Sequence, residues 1–102
     1  MSKVALLKTS PETVIDDYYK LMHLTDYEKS LSKQDKTVLK LNLSWTLYYP
    51  ACSTPPWQLE GVLNTLKKDD YKDIVAVENQ TVVTHPWKGA YYNKWLPLLN
   101  DH

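Results

Sequence analysis

Four polar residues stand where an open α/β sheet would gather a site: Lys40, Asn42, Thr54 and Glu78. A lysine can hold a phosphate or carboxylate, and an asparagine amide both donates and accepts. A threonine at a helix start places its hydroxyl beside free N–H groups, and a glutamate can take a proton or hold a cation. Together they suit a small anionic or metal-bound ligand. Each also has a plainer reading. Lys40 can reach for solvent at a sheet margin, Thr54 can simply cap its helix, and Glu78 can bond to backbone N–H groups at a strand end. Thr9, Ser10, Ser44, Trp45 and Asn79 fall at the same edge. No catalytic role is assigned to any of them.

Gly61 and Gly89 are the only glycines. A dinucleotide fingerprint and a phosphate-binding loop are therefore both absent, which argues against a nucleotide. The single cysteine, Cys52, excludes an intrachain disulfide and any C-x-x-C motif, so no iron–sulfur cluster is expected and the cofactor is unknown. His23, His85 and His102 lie on separate elements. Their spacing matches no metal motif, so no metal site is expected.

The elements that must position these groups follow from period and punctuation. Residues 3–9, KVALLKT, read as a short buried strand. Ser10 then offers an N-cap with Pro11 at the first helical position. The helix carries Val14, Ile15, Tyr18, Leu21 and Met22 at three- and four-residue spacings and fades near His23 to Thr25. Residues 26–36 read as a second short helical turn plus a loop. Residues 37–43, TVLKLNL, alternate as a strand. Thr54 is expected to cap the central helix, with Pro55 at its first position and the stripe Leu59, Val62, Leu63, Leu66 on one face. Lys67 and Lys68 suit its last turn. Residues 73–78 read as a buried parallel strand, and 90–100 as a broken amphipathic helix that Pro97 should kink or divide.

The order predicted is β-α-β-α-β-α: one small three-layer α/β domain with a parallel sheet, expected to be part of a larger sheet because three strands leave two long edges. In such sheets ligands bind beyond the carboxyl ends of the strands, which is why Lys40, Asn42, Thr54 and Glu78 are grouped. The length, 102 residues, fits one domain.

Formal net charge is zero, so nothing electrostatic favours nucleic acid or an anionic membrane. The opening MSKVALLKTS has too short an apolar run for a signal peptide, and no stretch approaches a membrane span; the cytoplasm is the expected location. Eight tyrosines and four tryptophans accompany no phenylalanine. Such residues suit half-buried positions, or a contact surface for a partner chain.

The runs VLKLNLSW and STPPWQLEGVLNTLKKDDYKDIVAVEN resemble the N-terminal portion of the proteins grouped as domain of unknown function 362. The resemblance rests on the triplet Lys40-Leu41-Asn42, the helix start Thr54-Pro55-Pro56 and the acidic Glu78, and extends over about residues 3–93. Leu41 stands where the family commonly has proline, and Glu78 where aspartate is common. Family domains are longer, so the resemblance implies an N-terminal fragment completed by a missing C-terminal portion or a partner chain. Two functions are then open: a ligand-binding half-domain of a larger or split protein, or a noncatalytic interaction module using its Tyr/Trp surface and sheet edge. A degenerate fragment without activity is the third reading.

Overall fold

The computed structural model describes residues 2–42, 53–78 and 95–101. Its organising element is helix α2, Pro56–Lys68. Leu59, Leu63 and Leu66 are buried on it, as the stripe requires. Burying each leucine side chain is worth about 1.5–3 kcal/mol. Leu59 and Leu63 join Leu41 and Trp95 in the core, against which Leu39, Ile74 and Ala76 of the sheet pack. Thr65 is also buried, and its hydroxyl donates to the Gly61 carbonyl at 2.9 Å, so no polar group is stranded there.

α2 ends in a Schellman turn. Tyr71 N donates to Leu66 O at 2.9 Å and Asp70 N to Lys67 O at 3.1 Å. Asp70 takes the left-handed conformation between them, at φ 69°. Leu66 and Tyr71, which flank this turn, are both almost fully buried.

Strands β1, Thr37–Lys40, and β2, Ile74–Val77, pair in parallel, with Thr37 opposite Ile74 and Lys40 opposite Val77. α2 is the crossover between them, so the central βαβ reading holds. The ladder is extended at both ends, by Thr37 N to Asp73 O at 2.7 Å and Leu41 N to Val77 O at 3.1 Å. Both strands are shorter than the expected 37–43 and 73–78.

The sheet has two strands among the described residues. Residues 3–9 form no strand, which corrects the predicted first element. Val4 and Leu6 are 91% and 96% exposed. Leu7 instead lines a small cleft with Val14, Tyr18 and Leu21 of helix α1, Val14–Leu24. The segment lies against a helix face rather than a strand edge. The described order is therefore α-β-α-β-α.

Three start signals also move. α1 is preceded by Thr13, with residues 11–13 in a turn closed by Thr13 N to Ser10 O at 3.1 Å, so Ser10 is not its cap. The residue before α2 is Pro55, and Pro56 takes the first helical position, so Thr54 is not the cap of α2. The last helix, α3, spans Trp95–Asp101 and runs through Pro97. No break appears at Pro97 among the described residues. Residues 90–94, the expected start of that helix, lie outside the described residues.

α1 packs on α2 through a close approach at Gly61. A Cβ there would fall 2.6 Å from Tyr18 Cδ2 and 2.8 Å from Tyr18 Cβ. Beyond α1, a single 3-10 turn covers Tyr27–Lys29, in agreement with the short helical turn expected there. Asp26, which precedes it, is left-handed at φ 54° and is held by Lys3 at 2.6 Å.

Candidate functional site

The carboxyl edge of the sheet brings the four expected residues into two linked pairs. Lys40 ends β1 with its side chain on the face away from α2, and its Nζ lies 2.6 Å from Glu78 Oε1, one residue beyond β2. The same ammonium donates to Leu41 O at 2.8 Å. Lys40 remains largely exposed, whereas the Glu78 side chain is mostly buried.

Asn42 and Thr54 form the second pair. Thr54 N donates to Asn42 O at 2.8 Å, and Asn42 N donates to Thr54 Oγ1 at 2.9 Å. The Thr54 carbonyl accepts Trp95 Nε1 at 2.7 Å. Thr54 therefore uses its amide, hydroxyl and carbonyl to join the end of β1, the entry to α2 and the start of α3. Its hydroxyl accepts from a backbone rather than capping a helix. Ser44, Trp45 and Asn79 lie outside the described residues, as do Cys52, His85 and His102. Thr9 and Ser10 belong to a different cluster: Thr9 Oγ1 donates to Asp17 Oδ2 at 2.6 Å and Thr13 Oγ1 to the same oxygen at 2.8 Å. These hydroxyls hold the Asp17 carboxyl below its ordinary value, Thr9 contributing most.

A second polar cluster, at the far end of α2, was not expected. His23, in the last turn of α1, places Nε2 2.7 Å from Asp69 Oδ2, at the residue that ends α2. Its Nδ1 lies 3.6 Å from Glu28 Oε1, on the 3-10 turn. The Tyr27 hydroxyl donates to the same Asp69 Oδ2. Burial, and then this bond to a carboxylate, push the Tyr27 phenol well above its ordinary value. Aromatic rings brace the imidazole on two sides, Tyr19 at 4.3 Å between centroids and Tyr27 edge-on at 5.5 Å. Lys33 Nζ closes the outside, 3.0 Å from Glu28 Oε2 and 5.5 Å from the Tyr71 ring centre.

One ligand atom each from His23, Glu28 and Asp69 lies within 4.8 Å of the others. The expectation of no metal site compares the histidines only with one another, whereas the groups that face His23 are carboxylates. The one available signal was that helix ends at His23 and Asp69 each carry a polar residue beside a tyrosine-rich stretch.

Among the aromatic residues, Tyr71 and Trp95 are core, while Tyr18, Tyr19 and Tyr27 are half-buried and Trp57 is exposed. No helix among the described residues is long and apolar enough to cross a membrane. No family model, curated protein or solved structure matches this chain.

Proposed function

We propose that this chain is a noncatalytic protein-interaction module, a half-domain completed by another polypeptide segment laid against its sheet. The observation that carries this reading is the outer face of the strand pair. Val38, Val75 and Val77 alternate away from α2 and are 57%, 37% and 39% exposed. Parallel strands are ordinarily covered on both faces, because their crossover helices bury them. Here one face carries α2 and the other presents a valine strip flanked by Lys40. A helix or strand with an apolar stripe fits that surface, with Lys40 held at its rim by Glu78.

The ligand-binding half-domain is the second reading. Its support is the grouping of Lys40, Asn42, Thr54 and Glu78 at the carboxyl edge. An anion arriving there would compete with Glu78 for the Lys40 ammonium, and the Asn42–Thr54 pair is committed to backbone bonds. The geometry therefore favours the interaction module. The half-domain reading rests also on the resemblance to domain of unknown function 362 proteins, which assigns no role to any residue.

Sedimentation of the purified chain over a range of concentrations tests the proposal. Wild type should self-associate through its apolar face, and the double variant Val38→Lys/Val75→Lys should sediment as a monomer with an unchanged melt. A wild-type chain that stays a monodisperse, cooperatively melting monomer at every concentration would sink the reading.

A further inference from the structure

The junction between α1 and α2 carries more ligand chemistry than a helix latch requires. Asp69 faces Nε2 of the imidazole and Glu28 faces Nδ1, so one ring nitrogen would ligate and the carboxylate on the other side must swing toward it; taking one ligand atom per residue, the three fall within 4.8 Å of one another. We propose that His23, Glu28 and Asp69 form a binding site for one divalent transition-metal ion of the zinc class.

The donor set selects the metal. One imidazole nitrogen with two carboxylate oxygens suits zinc and its neighbours, whereas calcium and magnesium favour all-oxygen shells. Bonds of about 2.0–2.2 Å place the ligand atoms of a zinc site roughly 3–4 Å apart. The present spacing is close enough for side-chain rotation to bring the three atoms onto one ion. The ring nitrogen and one oxygen of each carboxylate supply lone pairs, and any proton on that nitrogen leaves to bulk water. Two carboxylates balance the charge of the dication, and the neutral ring adds none.

Access and rigidity are also provided. The His23 and Glu28 side chains are 33% and 36% exposed, so an ion can enter from solvent and keep water in a remaining position. The Asp69 side chain is only 10% exposed and is oriented by the Tyr27 hydroxyl, the kind of outer partner that fixes a metal-bound carboxylate. The ring of Tyr19 restricts the imidazole. Lys33 is the built-in competitor: its ammonium holds Glu28 at 3.0 Å and must give way when the ion arrives. Because the ligands come from α1, the turn after it and the end of α2, the ion would clamp the two helices together and link their association to metal supply.

Calorimetric titration of the full chain with zinc chloride, with magnesium chloride in parallel, tests the proposal. The expected result is one zinc ion per chain, a higher melting temperature with zinc, and no response to magnesium. His23→Gln should abolish binding. Glu28→Gln alters a partly exposed side chain outside the core and should weaken it at least about tenfold, while Tyr27→Phe should weaken it by about tenfold through Asp69. Lys33→Met should tighten it. If His23→Gln fails to fold, Glu28→Gln with unchanged far-ultraviolet dichroism decides. A chain carrying Cys52→Ser, His85→Gln and His102→Gln together should bind zinc as wild type does. No zinc binding, loss of binding in that triple variant, or wild-type affinity in Glu28→Gln would overturn the proposal.

Discussion

The two ends of α2 handle polar groups in opposite ways. At its start, Thr54 has each of its polar groups bonded, two to Asn42 backbone atoms and one to the indole of Trp95. Those bonds join three chain segments and leave the threonine little to offer a ligand. At its other end, one Asp69 oxygen takes both His23 and Tyr27, and the imidazole faces a second carboxylate as well. There the side chains converge on each other instead of on the backbone. Polar residues gathered at a sheet edge can thus be structural joinery, while a cluster with no sequence motif can assemble ligand atoms.

The largest test of this contrast is Trp95→Ala. It should cost about 3–5 kcal/mol, because it removes a core side chain and the donor to Thr54 together. Urea unfolding of the two proteins measures it. A cost near zero would mean that the start of α2 is not anchored by α3. Asp69→Ala should cost about 1–3 kcal/mol by the same measurement, since His23 and the Tyr27 hydroxyl lose their shared acceptor. Thr54→Val keeps the shape and deletes one acceptor, for about 0.5–1.5 kcal/mol. If Thr54→Val proves costlier than Asp69→Ala, the ranking of the two ends is reversed.

The smallest expected effect is on pH dependence. The Tyr27 phenol is raised in the fold, chiefly by burial and by Asp69. Its contribution is present below the unfolded tyrosine value of about 10 and is lost as pH rises from there toward the folded value. Melting temperature should therefore fall above about pH 10, and Tyr27→Phe should flatten that fall. Tyr18, which burial also raises, should keep part of the slope.

The central crossover was legible because it rests on local period. The stripe on α2 and the Ile/Val-rich run of β2 each specify an element and a buried face, and together they place two strands in parallel. Residues 3–9 are misread as a strand because a short apolar run does not show whether a strand edge is available to meet it; Leu7 lies against α1 instead. Thr54 was correctly placed at the carboxyl edge, yet its role depended on Asn42 and Trp95, which no local rule connects to it. Lys40 and Glu78 are grouped by the sheet edge alone, and their direct ion pair follows from the strand register. His23 and Asp69 stand 46 positions apart, so only the packing of α1 on α2 could disclose them.

The pairing of Thr37 with Ile74 has a kinetic consequence. No hairpin can start a parallel ladder, so the chain must close the whole crossover before the first interstrand bond forms. Search time is shortened if α2 forms early, because a helix shortens the distance its residues span and presents Leu59 and Leu63 as one face. The Schellman turn then aims the chain back toward β1 at Tyr71. Refolding speed should therefore track the helicity of α2 more closely than the valine content of the strands. A helix-weakening change on its exposed side, such as Asn64→Gly, should slow refolding more than it speeds unfolding.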